Sequence, residues 1–168
     1  MPNLNLTKEN RPENISISHW DVLGVILEKL AGQDLHWVLT GSMALALQGL
    51  PVVPNDIDLQ TDTRGAFLIE QIFKPYIIRP VVYSAVDKIR SQFGAFMLKG
   101  IEVEIIGDIQ KRMEDGSWTS APDLERLRET IEVDGLKVPV LPLDYEAEAY
   151  AQIGKVERSQ ELLSWLSR

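Results

Sequence analysis

Cysteine is absent from this 168-residue chain. That excludes disulfides and every thiolate metal site. Histidine is nearly as scarce: His19 and His36 are the two imidazoles, too few for a multi-histidine zinc centre. Carboxylates remain as metal donors, and they suit hard divalent cations. No apolar run approaches the length needed to cross a bilayer. The N-terminus is polar and lacks the apolar stretch of a signal peptide. A cytoplasmic enzyme with no membrane partner fits these absences. Basic tracts are missing too. Seventeen Lys and Arg face 25 Asp and Glu, for a net charge of −8, and no basic run exceeds two residues. That balance disfavours nucleic acid as a partner.

With 45% hydrophobic and 25% charged residues, the chain has the ordinary composition of a soluble globular protein. Its length predicts one domain over residues 1–168, large enough for a real core. Residues 1–17 are polar and read as a loose lead-in. Ser18 is the expected N-cap of a helix to about Ala31, stopped by Gly32. Residues 35–40 form a continuous apolar strand, hence a central one. A short helix over 43–48, a strand over 57–61 and a helix over 64–74 follow, the last broken by Pro75. Strands are expected at 81–84, 92–99 and 101–106, then a polar loop at 111–120. Asp134-Gly135 signals a tight hairpin between 129–133 and 136–140. Residues 143–168 read as a helical C-terminal segment, with helices at 143–153 and 156–166. The fold class is α/β (α+β), with a mixed central sheet flanked by helices.

The informative stretch is residues 38–58. A buried strand runs into Gly41-Ser42, a short apolar helix follows, and Asp56-Ile57-Asp58 opens the next strand. Carboxylates at i and i+2 of a strand share a face. At about 4 Å and an effective dielectric near 20 they repel by roughly 4 kcal/mol. A divalent cation between them relieves that repulsion. Gly41 lets the backbone approach a phosphate closely, and Ser42 can bond a phosphate oxygen. A phosphate beside a carboxylate-held metal points to phosphoryl or nucleotidyl transfer.

Gly41-Ser42, the spacing and Asp56-Ile57-Asp58 resemble the signature of the nucleotidyltransferase fold, the DNA polymerase beta-like superfamily. The size is similar to small bacterial members, antibiotic adenylyltransferases and minimal nucleotidyltransferases among them. The resemblance covers about residues 35–108. It implies a third acid on a later strand, where Glu102 and Glu104 are the candidates; Glu104, flanked by aliphatic residues, fits better. It further implies Asp56, Asp58 and Glu104 as catalytic, metal-holding residues for two Mg²⁺ ions, with Gly41 and Ser42 on the nucleoside triphosphate. The implied reaction moves a nucleoside monophosphate, AMP foremost, to a hydroxyl of a small antibiotic-like acceptor by a two-metal mechanism. The alternative is an antitoxin-like or degenerate nucleotidyltransferase acting on, or binding, a partner protein; a homodimer also stays open.

Other residues have plainer readings. Asp108, past Gly107, reads as a loop cap. Arg64, Lys88, Arg90, Lys99 and Lys155 are the cations considered for the triphosphate, each singly more at home on the solvated surface. Tyr145 and Glu146 open the C-terminal helix, a place where an acceptor could lie; the plainer and stronger reading is a helix start at which Glu146 suits the dipole. His36 reads as core, and Trp20, Trp37, Trp118 and Trp165 as packing residues.

Overall fold

The structure is a computed structural model describing residues 6–168. Among these described residues the strands are β1 (Trp37–Thr40), β2 (Ile57–Thr61), β3 (Ile77–Val86), β4 (Ile89–Leu98), β5 (Ile101–Lys111), β6 (Glu129–Val133) and β7 (Leu136–Val140). The helices are α1 (Ile17–Leu30), α2 (Gly41–Leu47), α3 (Thr63–Ile72), α4 (Leu124–Leu127), α5 (Leu143–Gln152) and α6 (Val156–Leu166). The strands form one mixed sheet in the order β3-β4-β5-β2-β1-β7-β6. β2 runs parallel to β5 and β1 parallel to β7, while β1 and β2 are antiparallel.

Strand parity divides the sheet. Ile57 and Leu59 of β2, with Val103 and Ile105 of β5, point to one face and are fully buried in the main core. α1 and α3 contribute Trp20, Leu23, Ile26, Ala66 and Ile69 to that core. The intervening residues Asp58, Gln60, Glu104 and Ile106 face the other way and line a cavity closed by α5. The helical C-terminal pair also packs on α2: Ala147 and Leu162 meet Leu45 and Leu50 in a separate small cluster.

Several expectations shift. The cap of α1 is Ser16 rather than Ser18, and its side chain accepts from the His19 N–H. Residues 1–5 of the expected lead-in lie outside the described residues. Residues 6–17 are tied down rather than loose. Ile15 is fully buried, and Thr7 and Asn10 donate to the Asp134 carboxylate at the hairpin turn. β3 is ten residues long, not four. Pro80 sits within it because β3 is the sheet's edge and its pairing with β4 shifts register between Arg79 and Val82. β5 runs on to Lys111, past a bulge where Asp108 takes φ +48° and the register with β4 slips. His36 is not core: it lies just before β1, half-exposed, 3.7 Å from the Glu125 carboxylate. No helix among the described residues is long and apolar enough to cross a membrane.

Candidate functional site

The site is built where β1, β2 and β5 lie side by side. Asp58 is in register with Thr40 of β1 and with Glu104 of β5. Neighbouring residues of paired strands point to one face, so Asp58 and Glu104 are brought together by the ladder itself. Asp56, two residues earlier, joins them. One carboxylate oxygen from each of Asp56, Asp58 and Glu104 lies within 4.8 Å of the others. Glu102 is not part of this group: its carboxylate is 3.3 Å from the Arg79 guanidinium.

Asp58 is the most constrained member. Its Oδ1 is buried without a hydrogen-bond partner. Burial, the hydrogen bond to Glu104 and the charges of Glu104, Asp56 and Glu146 all push its carboxyl well above the usual range. Three acids that repel one another, one with an orphaned oxygen, form a donor set for a hard divalent cation. With no sulfur or imidazole in it, the set fits Mg²⁺.

Gly41 is required twice over. Its φ is +71°, in the left-handed region. A Cβ there would stand 2.2 Å from Asp58 Oδ2. The turn therefore lets the carboxylate lie flat against bare backbone. Gly41 faces a cavity of about 270 Å³ that also takes in Asp58, Glu104, Lys111, Tyr145, Glu146 and Tyr150. Ser42 faces away, onto a separate cleft.

The loop before Asp56 is held from the N-terminal side. His19, on α1, is bonded through Nε2 to the Asn55 carbonyl at 3.0 Å and through Nδ1 to Ser16 Oγ at 2.6 Å. Asn14 donates to the Leu50 and Val52 carbonyls. His19 thus fixes the backbone immediately preceding the first acid.

Glu146 differs from its plainer sequence reading as a solvated helix-start residue. It opens α5, but instead of facing solvent it is 3% exposed. Its Oε1 accepts from the Thr40 hydroxyl and from the Gly41 N–H, while Oε2 is buried without a partner. Desolvation raises its pKa from 4.5 to about 7, against the hydrogen bonds from Thr40 and Gly41 and the charge of Lys111. A signal was available. Leu143, Ala147 and Tyr150 pack as the apolar stripe of α5, and Glu146 falls on that stripe by its spacing.

The cations fall differently from expectation. Arg64 is bound to Asp34 at 2.8 Å and Lys99 to Asp21 at 3.5 Å. Arg90 lies over the Trp118 ring. Lys155 reaches the cavity, beside the Tyr150 ring. Lys111 was not foreseen. It is 8% exposed at the end of β5, near the Tyr145 ring, and burial lowers its pKa. Asp108 is a cap, but of α3, accepting from the Thr63 N–H and hydroxyl.

Residues 22–163 match the model of the aminoglycoside-2''-adenylyltransferase family. The chain belongs to this family. A crystal structure from Thermotoga maritima, assigned only provisionally as a nucleotidyltransferase, is 46% identical to this family member. The match covers 87% of this chain and 91% of that one, with a TM-score of 0.76. The lincosamide antibiotic adenylyltransferase LnuA, with lincomycin bound, shares the fold at 14% identity and a TM-score of 0.53, over 95% of this chain and 98% of that one. ANT(2'')-Ia in complex with adenylyl-2''-tobramycin does so at 13% identity and 0.54, over 86% and 87%. Among curated proteins none matches. The nucleotidyltransferase fold expected from Gly41-Ser42 and Asp56-Ile57-Asp58 is thereby shown.

Proposed function

We propose that this family member transfers a nucleoside monophosphate, AMP foremost, from a nucleoside triphosphate to a hydroxyl of a small antibiotic-like acceptor. The carrying observation is the convergence of Asp56, Asp58 and Glu104 around an unpartnered, buried Asp58 Oδ1. Asp56 and Asp58 would hold two divalent cations, and Glu104 would complete the acceptor-side position. Bound there, such cations supply positive charge to the triphosphate and to the acceptor oxygen.

The chain's own groups do the rest. The Glu104 carboxylate takes the proton of the acceptor hydroxyl. The acceptor oxygen bonds to the α-phosphorus as the bond to the bridging oxygen breaks, and pyrophosphate leaves. Ser42, on the cleft beside the acids, would donate its hydroxyl to the phosphate chain, while the bare Gly41 backbone leaves room for the Asp58 carboxylate. The cavity under α5 is the acceptor's place. Glu146 and the Tyr145 and Tyr150 rings line it, and the two rings would flank a sugar-like ring of the acceptor. The small molecules bound in the two adenylyltransferase structures, lincomycin and adenylyl-2''-tobramycin, support a small acceptor.

The test is incubation of the purified chain with Mg²⁺, labelled ATP, GTP, CTP or UTP, and a panel of aminoglycosides and lincosamides. Mass spectrometry should find a monophosphate adduct on an acceptor and released pyrophosphate. Failure to bind any triphosphate in the presence of Mg²⁺ would overturn the reading.

A further inference from the structure

The sheet has two edges, and they are built differently. β6 presents the exposed carboxylates of Glu129 and Glu132. β3 carries a single charge, Arg79, whose guanidinium is 3.3 Å from Glu102. Pro80 and the register shift blunt the first half of β3. The second half, 82–86, pairs regularly with β4 and holds no charge at all. Glu70 of α3 takes the Val81 N–H, so the open stretch begins at Val82. Val82 is 59% exposed, Tyr83 60% and Val86 70%. An edge of this kind is ordinarily broken by a charge, because its free N–H and C=O groups are a template for another strand.

We infer that residues 82–86 of β3 are a self-association edge, pairing antiparallel with the same residues of a second copy of this chain about a two-fold axis at Ser84. The inference stands apart from the nucleotidyl-transfer reading. Three observations carry it. The first is the backbone. Asp87-Lys88 is a two-residue turn, so Val86 and Ile89 form its hydrogen-bonded closing pair. Alternation along the strand then turns the N–H and C=O of Tyr83 and Ala85 outward. About the axis, Tyr83 of each copy meets Ala85 of the other, and each such pair exchanges both of its hydrogen bonds. The second is the side chains. In that register Tyr83 lies opposite the small Ala85 on one face, and Val82 opposite Val86 on the other. A strand of unrelated sequence must supply both patterns, whereas a second copy supplies them by symmetry. The third is charge. The chain carries −8 and repels its own kind, so two copies approach at least cost where both are uncharged. The Asp87 turn of each copy then lies diagonal to Arg79 of the other, a separation that a long side chain spans. β4 separates β3 from β5, so the pairing leaves Asp56, Asp58 and Glu104 uncovered.

Sedimentation velocity on the full chain, over a concentration series, tests this. The wild type should shift from the 19.0 kDa chain mass to about twice that value as concentration rises. Val82→Lys with Val86→Lys sets like charges across the axis at two exposed positions. It should weaken the dimer at least about tenfold with an unchanged circular dichroism spectrum. The absence of cysteine permits a sharper test. Ser84→Cys gives each chain one thiol on the axis, where a Cα separation of about 4.5 Å suits a disulfide. Mild oxidation should crosslink most of that variant and should leave Thr130→Cys, on the β6 edge, monomeric. A monomer at every concentration, with Ser84→Cys no more crosslinked than Thr130→Cys, would overturn the inference and leave the edge to a strand of another protein. A wild-type dimer that keeps its full affinity in Val82→Lys/Val86→Lys would overturn it as well, by placing the interface elsewhere.

Discussion

Glu146→Gln should stabilise the protein at alkaline pH and not at acid pH. The carboxyl sits under α5 with its Oε2 unpartnered, and burial holds its pKa at about 7 against an ordinary 4.5. A folded pKa above the unfolded one means that the folded state favours the protonated form. The unfolded chain therefore gains more from ionisation as pH rises. Stability is full below about 4.5, declines through the interval up to about 7, and stays at the lower level above it. The gap between the two values corresponds to about 3 kcal/mol. Glutamine retains an oxygen for Thr40 and Gly41 and cannot ionise. Subtracting the two stability curves removes the other titrating groups, except for a contribution of the same sign from Asp58, which the Glu146 charge also raises.

The assay is urea unfolding of both proteins at half-unit steps from pH 4 to pH 8.5, without divalent metal. The variant-minus-wild-type difference should climb by about 3 kcal/mol across that range. For a chain of this length that is roughly 6–12 °C in Tm at the alkaline end. Parallel curves would refute the reasoning. They would mean that Glu146 is solvated, or that its partners compensate its burial in full.

The metal site predicts that millimolar Mg²⁺ raises Tm by several degrees and that this rise shrinks as pH falls, because a proton on the raised Asp58 carboxyl competes with the ion. Asp56→Asn with Asp58→Asn should erase that shift in a protein that still melts cooperatively, as differential scanning fluorimetry will read. Gly41→Ala should cost at least about 2 kcal/mol, combining a left-handed φ with the collision on Asp58 Oδ2. Chemical denaturation should show that cost shrinking in an Asp58→Ala background. Once an acceptor is in hand, Glu104→Gln should lower kcat on the order of a hundredfold or more with triphosphate affinity retained, and Glu102→Gln, which releases only the pair with Arg79, should do much less.

The parts of the fold read correctly from sequence are those whose signal is local. β2, the β6–β7 hairpin and α6 carry their own periodicity and turn residues, and they stand where the sequence places them. The strand expected at 81–84 begins only after Pro80, whereas β3 runs through that proline. Its tolerance depends on being the edge of a seven-stranded sheet, and an edge is a property of the whole topology. An end of β5 at Ile106 is expected because Asp108, past Gly107, reads as a loop cap. The chain instead bulges there and continues, which carries Lys111 into the cavity under α5. One misread bulge thus hid a buried cation.

The acids divide along the same line. Asp56 and Asp58 needed only strand parity, and Glu104 needed a resemblance to select its strand; the ladder pairing of Asp58 with Glu104 then brings the three together. Glu146 reaches Thr40 and Gly41 across more than a hundred residues of sequence, and His19 holds Asn55 from another helix, so no window around the motif contains either. Yet Glu146 was visible by a different rule. An acid placed on the apolar stripe of an amphipathic helix pays a desolvation cost that a neutral residue would avoid. Such a residue stays on the stripe only if partners on the facing surface hold it. Here those partners are the hydroxyl and the backbone N–H at the turn where the motif begins. Scanning each helix for the polar residue that breaks its stripe would have led from α5 to the same site that Gly41-Ser42 marks from β1.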